Sequence, residues 1–239
     1  MKRILCFGDS NTYGYKPDRS GQFNENIRWT GLLSKSLGDN FKIIEDGVCG
    51  RTLALDDPMF SGRNGLKSIE NSLRSNSPID LLIIMLGTND LKYFYRMTAE
   101  KITENCGKLI NKAISSCENP DSIQILLISP ILLGENILSI NSTYNAQSVK
   151  TSHSLAKEFE NLAKKKNCYF LAAENYAVAS NVDCEHMTAA EHKKLAVSKG
   201  RAFGRSPQRA KHFMPHKAQE GRKTFQWNVF RREPSQGVP

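Results

Sequence analysis

Six consecutive apolar residues, Leu81–Leu86 (LLIIML), restrict the possible folds of this chain more than any other stretch. A strand with one wet face alternates apolar and polar residues. A run without alternation must be covered on both faces, as strands inside a parallel sheet are. Asp80 and Gly87 bound the run. Similar short runs occur at Ile4–Phe7, Phe41–Glu45, Ile123–Ile128 and Tyr169–Ala172. Between them lie segments with helical spacing at Arg28–Leu37, Leu66–Leu73, Thr98–Ser116 and Gln147–Lys166. Gly38 stands ready to end the first of these. Alternating strands and helices imply right-handed crossovers and an α/β fold, a three-layer α/β/α sandwich with about five parallel strands.

Three of these strands hand over to a polar, glycine-bearing block. Ile4–Phe7 stops at Gly8-Asp9-Ser10, and Phe41–Glu45 leads into Asp46-Gly47-Val48-Cys49-Gly50-Arg51-Thr52. Leu81–Leu86 ends in Gly87-Thr88-Asn89-Asp90. Ligands of open α/β sheets bind outside the carboxyl ends of the strands, so these three blocks belong on one functional edge. Leu53–Asn64 lacks a clear period and reads as an insertion at the mouth of that site. Near the end, Asp183-Cys184-Glu185-His186 precedes Thr188 and Glu191, which have the spacing of a capping box. A helix therefore starts near Ala189, with His186 on the loop before it.

Each block has a plain structural reading as well. Gly-Asp-Ser is common turn chemistry, and Asn89 suits an Asx turn. Gly47 and Gly50 suit positive φ. Asp9 reads as a brace for the Ser10 loop, and Tyr13, Tyr15 and Trp29 as core or pocket wall, with Tyr15 the best candidate for substrate contact. His192 reads as an exposed helix position and Cys184 as incidental. His153, His212 and His216 receive no role.

Taken together and in order, the blocks resemble those of the SGNH, or GDSL, hydrolases. ILCFGDSNTYGY, IRWTGLL, GRT followed by DDP, and LLIIMLGTNDLK are similar to the arylesterase and acyltransferase branch. The similarity runs from the first residue to about residue 197. It implies a flavodoxin-like sandwich and an esterase of short acyl esters, such as aryl acetates, with acyl transfer to alcohols as a second outcome. Carbohydrate O-acetylesterase, thioesterase and lysophospholipase activities are alternatives on the same fold. Position by position, it implies Ser10 as nucleophile, His186 as general base and Asp183 as the orienting acid. The oxyanion donors would be Ser10 N–H, Gly50 N–H and the Asn89 side chain. Neither a metal nor an organic cofactor is implied.

Composition decides what else the chain could do. Its 239 residues suffice for one full core, and no run approaches the length of a membrane span. The first strand begins at once, which leaves no room for a signal peptide. The six cysteines show neither C-x-x-C nor metal-ligand spacing, so they read as reduced thiols of a cytoplasmic protein. The net charge of +9 is concentrated at one end, because residues 199–239 hold ten Lys or Arg against two Glu. The body, residues 1–198, is nearly neutral and lacks the footprint of a nucleic-acid enzyme. A non-catalytic protein that binds nucleic acid through its basic tail is the rival of another class. The helix after His186 starts an apolar stripe at Leu195, Ala196 and Val197, which Ser198-Lys199-Gly200-Arg201 abandons. For the tail, three readings stand: disordered, binding arm, or the product of a frameshift near codon 198. The expected partner is a small ester, and assembly into a homo-oligomer is left open.

Overall fold

The computed structural model describes residues 1–117 and 123–201, the last five by backbone alone. Five strands carry the fold: β1 (Lys2–Gly8), β2 (Phe41–Gly47), β3 (Leu81–Met85), β4 (Gln124–Ser129) and β5 (Tyr169–Ala172). All pair in parallel in the order β2-β1-β3-β4-β5. The helices are α1 (Ser10–Tyr13), α2 (Trp29–Leu37), α3 (Gly65–Asn76), α4 (Ala99–Ser115), α5 (Ile137–Ile140), α6 (Ala146–Lys165) and α7 (Ala189–Arg201). This is the expected three-layer sandwich.

The unbroken apolar run on β3 has the predicted cause. Leu82 and Ile84 enter a cluster with Ile69, Ile102, Leu109 and Phe159, from α3, α4 and α6. Leu81, Ile83 and Met85 enter the opposite cluster with Trp29, Leu33 and Leu195, from α2 and α7. Each such side chain removed from water contributes about 1.5–3 kcal/mol, which is why a polar residue in this run is not tolerated. Two of the long helices begin at side-chain caps. Thr98 accepts from Lys101 N on α4, and Asn145 and Ser148 form a reciprocal capping box on α6.

Two local expectations are corrected. His192 is fully buried, not exposed, because α7 packs on α2. His192 lies three residues before Leu195 and so shares its inward face. Its Nδ1 accepts from Trp29 N at 3.4 Å, and burial, aided by the Arg28 charge, pushes its pKa down to about 4. The Thr188–Glu191 capping box forms only half. Glu191 N donates to Thr188 Oγ1, but the carboxylate accepts from Val178 N at 3.0 Å and pairs with Lys194. α7 runs by backbone through the division placed after Ser198, and the remainder of the basic tail lies outside the described residues.

β1 is the point at which strand order reverses, with β2 on one side and β3 on the other. The crevice outside its carboxyl end is where this class of sheet holds ligands. Ser10 is placed there.

Candidate active site

Ser10 opens α1, a four-residue helix that the sequence did not announce. Asp9 caps it, its carboxylate accepting from Asn11 N at 2.9 Å. The brace expected of Asp9 is therefore present. Burial raises the Asp9 pKa to about 6, against the pull of the Asn11 N–H and the His186 charge.

The loop after β5 brings Asp183 and His186 to Ser10. His186 Nε2 lies 2.8 Å from Ser10 Oγ, and His186 Nδ1 lies 2.6 Å from Asp183 Oδ2. The other carboxylate oxygen, Asp183 Oδ1, accepts from Glu185 N and His186 N, so the acid holds the imidazole and its backbone together. The turn between them passes through Cys184 at φ 58°, in the left-handed region. Cys184 is thus a tight-turn residue, and its buried side chain packs beside Gly134. Tyr15 stands beside the imidazole, with ring centroids 5.1 Å apart.

Electrostatics set the protonation of this array. Burial lowers the His186 pKa, but the Asp183 hydrogen bond and the Glu185 and Asp183 charges outweigh it, leaving a net rise above 6.5. Burial raises the Asp183 pKa, and its bonds to His186 reverse that to a net fall. The Glu185 carboxylate is fixed by Tyr144 Oη at 2.7 Å and Asn141 Nδ2 at 3.2 Å. Burial and that same carboxylate push the Tyr144 pKa up, so its hydroxyl remains a donor.

The two remaining blocks meet through Asn89 and Arg51. Gly50 takes φ +82°, and a side chain at Gly47 would collide with the backbone of Tyr13 in α1. Val48 N donates to Gly8 O at 3.1 Å, which seats this loop on the end of β1. Asn89 is buried, and its Nδ2 donates to Arg51 O at 3.2 Å. An amide nitrogen carries two protons, so one remains for another acceptor.

Sequence reasoning missed the residues that hold these loops in register. The Arg51 guanidinium lies 3.9 Å from the Phe7 ring centroid and donates to Gly8 O, Asp46 O and Asp46 Oδ1. It ties the ends of β1 and β2 while its carbonyl orients Asn89. Asp90 accepts from Leu53 N, and burial pushes its pKa to about 7. Both residues stand inside the quoted blocks, where only their position could have marked them. Among the described residues no group of three or more His, Cys, Asp or Glu is placed to hold a metal ion. The six cysteines are free thiols. No described helix is long and apolar enough to cross a membrane.

A parallel sheet with a hydroxyl, an imidazole and a carboxylate in series at its switch point is the arrangement of α/β serine hydrolases. The chain matches the GDSL-like Lipase/Acylhydrolase family over residues 4–197 and belongs to it, as a carboxylic ester hydrolase. Among solved structures, an aryl esterase of M. smegmatis is 32% identical, with a TM-score of 0.77 over 84% of this chain and 97% of that one. A carbohydrate acetylesterase family member from Sinorhizobium meliloti is 31% identical, with a TM-score of 0.76 over 82% of this chain and 94% of that one. A lipolytic G-D-S-L family protein from Veillonella parvula, 15% identical with a TM-score of 0.62 over 85% and 98%, shares the fold. Comparison with curated proteins found no match.

Proposed function

We propose that this hydrolase cleaves short acyl esters, aryl acetates foremost, through an acyl-enzyme on Ser10. The observation that carries the reading is the series Ser10 Oγ, His186 Nε2, His186 Nδ1 and Asp183 Oδ2, joined at 2.8 and 2.6 Å. A serine hydroxyl becomes a competent nucleophile when a positioned base takes its proton. His186 takes that proton as Ser10 Oγ attacks the ester carbonyl, then gives it to the departing alcohol. Asp183 fixes the tautomer and stabilises the imidazolium. Ser10 N–H, Gly50 N–H and the second Asn89 amide proton receive the negative charge on the carbonyl oxygen. Water, activated in turn by His186, releases the acid, and an alcohol in its place completes acyl transfer. Tyr15 forms part of the pocket wall.

Turnover of p-nitrophenyl acetate, butyrate and octanoate tests the acyl preference. The expected result is a kcat/KM that falls along the series. A rise toward octanoate points to lysophospholipase-like chemistry and overturns the short-acyl assignment, and preference for an acetyl thioester overturns it in favour of a thioesterase. Likeness to a carbohydrate acetylesterase supports acetylated sugars as a second substrate class, which belongs in the same assay. Salt-dependent retention on DNA without turnover of any ester would favour the binding-protein reading.

The pH profile follows from His186. The imidazole must be neutral to accept a proton, so kcat/KM is expected to rise with pH through its pKa. Because that value is raised, the acid limb should have its midpoint above 6.5. Asp183→Asn removes the nearby charge and replaces the charged acceptor facing Nδ1 with a neutral amide, the two contributions of Asp183 that raise it. The limb should then move downward as the rate falls. A midpoint unchanged in Asp183→Asn would separate the limb from His186.

A further inference from the structure

The side chain after the nucleophile is buried and touches neither reacting group directly. Asn11 is 1% exposed. Its Nδ2 donates to Glu185 O at 3.2 Å and its Oδ1 accepts from Met187 N at 3.0 Å. Those two peptide groups flank His186, one on each side. A single amide therefore spans the residue that carries the imidazole, although the two lie far apart in the chain.

Tyr144 and Asn141 hold the Glu185 carboxylate and Gly134 N donates to Cys184 O, so the loop is tied down from elsewhere too, and the Asn11 side chain is its tie from the nucleophile side. Asp183 takes Glu185 N and His186 N, and His186 O accepts from Ser180 N at 2.8 Å. Those bonds all lie within the loop and fix its shape. They do not say where the loop sits relative to Ser10. Asn11 reaches across from the nucleophile side, and its own backbone N–H is held by the Asp9 carboxylate.

We propose that Asn11 is a positioning residue, which sets the Ser10–His186 separation by gripping the peptide groups on both sides of His186. The inference rests on the reading of Ser10 and His186 as nucleophile and base. The task requires one donor and one acceptor on a short neutral side chain, which asparagine supplies. Aspartate offers two acceptors and would face the Glu185 carbonyl with charge, and glutamine is one methylene too long. Leucine, the fourth letter of the family's G-D-S-L name, can make neither bond. In this chain the brace is thus a feature of the GDSN form of the block.

The test measures Ser10 labelling by a fluorophosphonate alongside ester turnover in Asn11→Ala, Asn11→Ser and the wild type, each normalised to folded protein. Displacing a reacting group by about 1 Å can cost roughly 100-fold, so Asn11→Ala is expected to lose about 10- to 100-fold in kcat and in labelling rate, with KM unchanged. Its acid limb should keep the wild-type midpoint, because the Asp183 bond lies within the loop and travels with His186, whereas a variant that loosened the loop itself would shift it. Asn11→Ser, which keeps one hydrogen-bonding group, should fall between the two and serves as the main variant if the alanine form does not fold. Wild-type kcat and labelling per folded molecule would overturn the proposal. So would a rise in KM alone, which would place Asn11 against substrate. If the wild type itself neither labels nor turns over an ester, the assignment of the nucleophile fails instead, which is a separate outcome.

Discussion

Replacing Ser10 by alanine is expected to lower kcat for p-nitrophenyl acetate by about 10⁴- to 10⁶-fold and abolish fluorophosphonate labelling. Without Oγ there is no acyl-enzyme, and only water attacking a carbonyl held near the oxyanion donors remains. His186→Ala should fall into the same range, because it leaves the hydroxyl without a base 2.8 Å away. The double variant should be no slower than either single one, since the two groups act as a unit and the loss is not additive. Thermal unfolding of Ser10→Ala should stay close to the wild type. Its hydroxyl's partner is His186, and the Asp9 cap, the Asn11 bonds and the β1 register are untouched. Labelling that persists on another serine of Ser10→Ala would sink the assignment, and multiplicative losses in the double variant would sink the unit.

Asn89→Ala is expected to reduce kcat by about 10²- to 10³-fold, or about 2.7–4 kcal/mol of transition-state stabilisation, with little change in KM. The ester carbonyl carries little charge before attack and a full charge after it, so a donor aimed at that oxygen acts mainly on the rate. One amide proton of Asn89 is occupied by Arg51 O. The substitution therefore also frees a buried carbonyl, and part of any loss of stability belongs there. Steady-state kinetics separate the roles, because a rise in KM at constant kcat would make Asn89 a substrate-binding residue.

What could be read from the sequence was local. An apolar run without alternation gave β3, and glycine-bearing blocks at strand ends placed Ser10, Gly50 and Asn89 on one edge. The D-x-x-H spacing suffices for Asp183 and His186 to meet on one turn. Contacts between distant segments were not legible. Arg51 meets Gly8 O, Asn11 meets Met187 N, and His192 meets Trp29 N, each pair joined by folding alone. Glu191 shows how a local pattern loses to a tertiary one. Its spacing from Thr188 suits a capping box, yet Val178 N claims the carboxylate. His192 carried a readable signal in its three-residue offset from Leu195, overridden by the usual expectation for a polar residue on a helix.

Ser10, the proposed nucleophile, stands at the end of the first strand, and His186, its proposed base, sits 176 residues later, just before the last described helix. During synthesis the hydroxyl leaves the ribosome early and waits through four further strands for its partner. If His186 is the base, every truncated product ending before residue 186 is expected to be chemically silent, however well its sheet has formed. On the same reading hydrolysis requires the loop before α7 to reach Ser10. On that reading, onset of turnover in a refolding experiment clocks the arrival of the His186 loop at Ser10, while backbone circular dichroism reports formation of the sheet and helices separately. A lag of turnover behind the circular dichroism would measure how long the chain exists as a folded sheet without an enzyme.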